Sequence, residues 1–267
     1  MNLYVKLNEA PHLDITVEGT SKLDFHGAMV AIWTDHFDCP YETEYWYCIK
    51  DDLLDLSALK AKRRYEINKG NKNFTTKVIN PTEYAKELYE VYTGSLAGYP
   101  GNPAPKSIES FYRSIQAWGR PECCLFGTFD NESGNLCGYS DVWLRYPYLP
   151  ISSLKTIPKF ERKGVNFALV YGIYQHFEDD IKNGAYLCDG ARNSMHETQF
   201  QDFLIKYFGF RRAYCDLHLA YRWYLRPAII VLFPVRNFFK KHIPQVYSLL
   251  KMEAWSRRIG DTAKENL

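Results

Sequence analysis

The residues with the clearest chemical potential lie between 154 and 169. Thr156 and Ile157 end an apolar strand, a short basic turn carries Arg162 and Lys163, and Gly164, Val165 and Asn166 open a helix. A helix start leaves its first N–H groups without intrahelical partners and carries the positive end of the dipole, so this order of elements aims donors at an anion. The spacing predicts a pyrophosphate cradle at 156–157 and 162–166. A turn with one glycine also occurs for packing reasons alone, and that reading stays open.

Two carboxylates stand where a proton acceptor is useful: Asp141 on a central hairpin and Asp189 at the end of a short apolar strand. Each equally suits a turn cap or a partner for an arginine. Tyr139, Tyr146 and Tyr148 offer hydroxyls, but with 21 tyrosines in the chain most must simply pack. His196, in Ser194-Met195-His196-Glu197, has no second histidine at helical distance, so the spacing is not that of a metal motif. Arg192 and Asn193 follow Asp189 and suit either substrate contact or a loop.

The elements around these residues read as follows. Short apolar runs at 28–33 and 45–49 predict strands. Ser57 predicts a cap for a helix over 58–68, with Gly70 as the left-handed residue beyond its end. Its face, with Lys60, Lys62, Arg63, Arg64, Lys69 and Lys72, is basic, which fits solvent or an anionic ligand. A strand at 74–79 precedes Asn80-Pro81-Thr82-Glu83, which predicts a helix start, and Ser107 predicts the cap of a second helix over 108–118. Between them, 98–105 alternates Gly and Pro and reads as a loop. Strands at 123–129 and 136–146 flank Gly134 as a hairpin; a third strand at 152–157 follows. Then come a helix over 165–177, a strand at 185–189, a helix over 197–208 ended by Gly209, and a strand at 213–221.

This order, together with Ile157, Pro158, Gly164 and Leu169, resembles the GNAT superfamily of N-acetyltransferases, whose pattern is an apolar strand residue, Pro, then Arg/Gln-x-x-Gly-x-Gly/Ala opening a helix. The stretch from Phe203 to Phe210 is similar to the family's helix ending in Gly-Phe before the last strand. The resemblance covers about 73–222. It implies an α/β (α+β) fold with a mixed, mostly antiparallel twisted sheet and flanking helices, and an acyl-CoA, such as acetyl-CoA, as donor to an amine. Oxyanion donors would be backbone N–H groups near Thr156 and Ile157, with Asp141 or Asp189 as base. The departures are specific: Glu161 stands at the Arg/Gln position, Asn166 at the second small residue, Ile205 where a tyrosine acid is common, and Thr198 near the usual asparagine. Tyr207 lies about 200° around the helix from position 205 and cannot substitute directly.

A further resemblance, carried by the basic helix at 60–70, is to Fem-type aminoacyl ligases, which have two such lobes; it implies an aminoacyl-tRNA donor with salt-dependent affinity. A non-catalytic GNAT-like binding module is a third reading. The amine-bearing acceptor, a small molecule or peptide, is expected to approach across 98–105 and 146–150.

The division expected is 1–72 as an N-terminal β-rich extension or reduced lobe, 73–222 as the GNAT-like domain, and 223–267 as a C-terminal helical extension. Composition fits a globular chain: 267 residues, 46% hydrophobic and 16% aromatic, exclude disorder. The net charge of +2 excludes a global field for nucleic acid, so no specific DNA binding is expected. Residues 221–267 nevertheless hold nine Lys/Arg against three Asp/Glu, leaving 24 against 28 before them. Over 225–259 basic and apolar faces suit a membrane surface, an acidic partner or docking on the N-terminal residues. Seven cysteines without C-x-x-C pairs, no signal-peptide run and no apolar stretch of about 20 residues predict a reduced, cytoplasmic protein.

Overall fold

A computed structural model describes residues 3–15, 17, 23–98, 103–194 and 199–258. The strands are β1 (Tyr4–Lys6), β2 (Val30–Asp35), β3 (Tyr45–Lys50), β4 (Phe74–Val78), β5 (Cys123–Asp130), β6 (Leu136–Trp143), β7 (Tyr148–Thr156), β8 (Tyr186–Ala191) and β9 (Arg211–Tyr221). The helices are α1 (Ala61–Asn73), α2 (Ala85–Ser95), α3 (Ile108–Trp118), α4 (Val165–His176), α5 (Glu178–Lys182), α6 (Gln199–Phe208), α7 (Arg226–Leu232), α8 (Phe239–His242) and α9 (Pro244–Ser256). The mixed, mostly antiparallel architecture with flanking helices is the one expected: β2–β9, β3–β9, β4–β5, β5–β6 and β6–β7 are antiparallel, and β1–β2 and β7–β8 are parallel.

The chain forms two compact units, one of 1–49, 191–203 and 211–267, the other of 50–190 and 204–210. The second carries strands in the order β8-β7-β6-β5-β4. Alternation along β5 dresses both faces. Leu125 joins Leu88, Val91, Phe111, Ile115 and Trp118 of α2 and α3, while Phe126 meets His176 and Phe177 at the end of α4. Ser107 caps α3 through the Ser110 N–H at 3.2 Å, and Gly134 turns the β5–β6 hairpin at φ +73°, both as the residue types predict.

Three local expectations fail. Asn80 holds the Thr82 N–H and hydroxyl and donates to Glu83, so it closes a turn, and α2 starts five residues later. Ser57 is drawn back to Asp55 by two hydrogen bonds, so α1 starts without a side-chain cap. Gly70 does not end α1: the helix runs on to Asn73, and Gly70 is there for space, as the site shows.

In the first unit the strand order is β1-β2-β9-β3. α9 lays Leu249, Leu250, Met252 and Trp255 against Val30 and Leu217, joined by Ile229 and Phe233 from α7 and the residue after it. The inner face of the C-terminal helices is thus buried on the strands of its own unit. No described helix is long and apolar enough to cross a membrane.

Candidate functional site

β7 and β8 run parallel in register from Tyr148–Tyr186 to Pro150–Cys188. Both strands continue beyond that pair, β7 to Thr156 and β8 to Ala191. On its other edge β7 stays paired with β6, with Ser152 as the extra residue of a bulge between Ile151 and Ser153. The Ile157 N–H donates to the Cys137 carbonyl of β6 at 3.0 Å. Backbone groups alternate sides along a strand, so those of Leu154 and Thr156 turn toward the β8 side. This corrects one expectation: Ile157 cannot supply an oxyanion donor because its N–H is spent on β6. Leu154 and Thr156 are the residues whose N–H groups face the β8 side.

Thr156 is buried, and its hydroxyl donates to Asn166 Oδ1 at 2.8 Å, tying the end of β7 to the first turn of α4. Asn166 therefore serves this bridge through its oxygen. The Thr156 methyl fits because Gly138 opposes it; a Cβ on Gly138 would lie 2.8 Å from Thr156 Cγ2.

Gly164 has φ +98°, a left-handed conformation that glycine adopts without strain. A second constraint acts on it: a Cβ there would lie 2.9 Å from the Cα of Gly70, and one on Gly70 would lie 2.7 Å from the Gly164 carbonyl oxygen. α1 crosses the start of α4 glycine against glycine and buries Gly164, while Val165 is buried in a cluster with Phe74, Cys137 and Ala168. The sequence held both signals, Gly70 in a helix and Gly164 in a turn, but neither points to the other. Lys159, Arg162 and Lys163 are exposed on this turn, and Lys62 and Lys72 are exposed on α1. Arg162 has no ion pair among the described residues, whereas Lys163 is 3.3 Å from Glu132 and 4.0 Å from Asp130. Glu161 is exposed on the same turn.

Asp141 is 2% exposed. Its Oδ1 accepts from the Ser153 hydroxyl and its Oδ2 from Trp143 Nε1 at 2.9 Å. Such a carboxylate orients its donors and is sealed from solvent. Ser153, which sequence reasoning passed over, is the half-buried end of this pair. Asp189 lies half-buried on β8, one residue past the last registered pair. β7 separates it from Asp141, which is two interstrand spacings or about 10 Å. The two acids therefore do not share one proton.

The other candidates resolve into packing. Tyr139 is buried against Trp118, and burial raises the Tyr148 phenol far above its usual value, making it a poorer acid. Tyr146 is exposed, its phenol raised by desolvation and by Asp180. Tyr207 sets its ring edge-on to Phe167 of α4 at 4.9 Å. Arg192 bonds Glu44 at 2.9 Å and stacks on Trp255. Burial pushes the Cys123 thiol up to about 12 and Cys137 to about 11, so neither is a nucleophile near neutral pH. His196, Thr198 and residues 99–102 of the expected acceptor loop lie outside the described residues. The end of that loop is held by Tyr92, which accepts from the Lys106 N–H, and Tyr89, which donates to the Lys106 carbonyl.

No protein-family model matches the chain, and no curated protein sequence matches it. Solved structures do. FemX matches with a TM-score of 0.51 at 10% identity, over 70% of this chain and 63% of its own. A conserved protein of unknown function from Bacteroides thetaiotaomicron matches with a TM-score of 0.50 at 11% identity, over 73% of this chain and 63% of its own. The ribosomal-protein-S18-alanine N-acetyltransferase of Escherichia coli aligns over 40% of this chain and 60% of its own, with a TM-score of 0.32 that carries no argument. The chain thus spans less than two thirds of each of these structures. At such identities the likeness is one of architecture alone: a mixed, mostly antiparallel sheet flanked by helices.

Proposed function

We propose that the chain is an acyltransferase that moves an acyl group from a coenzyme A thioester onto the amine of a small molecule or peptide. The observation that carries this reading is the end of the β7–β8 register at Pro150–Cys188, beyond which Leu154 and Thr156 present backbone groups on the β8 side. An extended, amide-containing donor fits such an edge as a strand fits a sheet, and the N–H groups there suit the oxyanion that develops when an amine attacks a carbonyl. Asp189, on the strand across that edge, is the base in this reading: it takes the amine proton while the C–S bond breaks and the thiolate leaves with a proton from solvent. Asp141 positions Ser153 and touches no substrate.

The anionic handle of the donor belongs on Arg162, Lys159 and the basic residues of α1, because Gly164 and Val165 are covered. That same observation favours a second reading, an aminoacyl-tRNA donor, whose phosphates need exposed cations and no buried pyrophosphate cradle. The cytoplasmic location follows from either donor.

Calorimetric titration of the full chain with acetyl-CoA separates them. Binding that Arg162→Glu weakens about tenfold or more supports the first reading, and no heat or thermal stabilisation at millimolar acetyl-CoA overturns it, since ligand at a hundred times Kd adds about 2.7 kcal/mol. Binding of aminoacyl-tRNA instead, falling steeply with salt, assigns the second.

A further inference from the structure

α7 has no polar face beyond its first residue. Its sequence is Arg-Pro-Ala-Ile-Ile-Val-Leu, and while Ile229 is buried against the strands, Ile230 and Val231 are 60% and 70% exposed. Val235, Phe238 and Ile243, in the segments that follow α7, are likewise exposed, and Trp223 just before α7 is 84% exposed. A helix that meets water on one side ordinarily carries polar residues there, so an apolar outer face calls for a cover.

Charge tells what covers it. From 221 to 258 the chain holds eight Lys/Arg and a single acidic residue, Glu253. That glutamate is paired with Arg257 at 2.6 Å and accepts the Tyr221 hydroxyl, so no negative charge here is left uncompensated. Arg226, Lys240 and Lys241 are exposed beside the apolar residues. A cavity of about 960 Å³ borders the patch and shares Trp223, Arg226 and Ile230 with it.

We infer that this face, from Trp223 to Ile243, docks on an anionic lipid bilayer. Aliphatic and aromatic side chains insert at the level of the headgroups, the cations meet the lipid phosphates around them, and the cavity beside Arg226 has room for one headgroup. A second copy of the chain would set Arg226, Lys240 and Lys241 against the same cations, which argues against self-association through this face.

Sedimentation of the full chain with vesicles tests the inference. Binding is expected to vesicles of phosphatidylcholine with phosphatidylglycerol, to be weak with phosphatidylcholine alone, and to fall with salt. Lys240→Gln should lower partitioning about fivefold, and Ile230→Asp with Phe238→Asp more than tenfold, both variants keeping the wild-type thermal transition because the side chains are exposed. No binding to the anionic vesicles at low salt overturns the inference. So does competition by inorganic phosphate beyond that of sodium chloride at equal ionic strength, which assigns the cations to free phosphate. A dimer in light scattering that Ile230→Asp dissolves also overturns it and gives the face to a second copy.

Discussion

α4 and α7 are almost equally apolar in sequence and are used in opposite ways. In α4, Val165, Ala168, Leu169, Val170, Ile173 and Tyr174 are all buried, covered by α1 at its start and by β4 along its length, where Thr76 bonds the Ala168 carbonyl and fills the space over Gly172. In α7 only Ile229 is buried. Composition alone therefore does not separate a core helix from a docking helix. The difference lies in how many neighbouring elements reach each face, and it makes the α4 turn a packed support for the β7 edge and α7 a surface in want of a partner.

The largest expected effect tests the inner cover of the C-terminal helices. Trp255 is 2% exposed and joins Val30, Leu217 and Leu250. Trp255→Ala should cost about 3–5 kcal/mol in denaturant unfolding; a loss under about 1 kcal/mol would mean that α9 is not part of the stable core. The next tests α4. Glycine to alanine inside a helix ordinarily stabilises by about 0.5–1 kcal/mol, but Gly70→Ala here should destabilise by about 1–3 kcal/mol, because its Cβ would lie 2.7 Å from the Gly164 carbonyl. A stabilised variant would show that α1 does not rest on the turn.

The smallest effect lies in a charge cluster of the first unit. Burial tends to raise the Asp216 carboxyl, but hydrogen bonds from His36, Tyr41 and Arg258 outweigh it and hold it below the usual 3.8. The bond to Asp216, helped by Asp35, lifts His36 above 6.5, and Tyr41 is pushed up to about 12 by the same carboxylate. A lowered acid stabilises above its ordinary value and loses that contribution as pH falls through the shifted one; a raised histidine stabilises below 6.5 and loses it as pH rises through the shifted one. The cluster should contribute most between about pH 4 and 6.5. Asp216→Asn is expected to lower Tm by about 2–4 °C there and to flatten both limbs of a Tm–pH profile; a profile unchanged in shape would remove the cluster as their source.

The order of elements from β4 to β9 was legible from apolar periodicity, from Ser107 and from Gly134, because each rests on backbone geometry within a few residues. The edges of α1 and α2 were not, since Ser57 and Asn80 have a nearer competitor for their hydrogen bonds in Asp55 and Glu83. The same divide runs through the candidate site. Pro158, Gly164 and the helix behind them could be read as a strand–turn–helix, but that α1 would cover the turn depended on Gly70, 94 positions away, and nothing local couples the two.

What the amino-acid order determined by itself was most of the elements from β4 to β9, the mixed sheet with flanking helices and the basic, apolar character of the last stretch. Tertiary structure alone decided that Ile157 spends its N–H on β6, that Asp141 is sealed by Ser153 and Trp143, and that one side of α7 is left uncovered by its own unit. Those outcomes depend on register and burial, which bring together groups far apart in the chain, and a sequence pattern with a period of two or four residues carries no information about them.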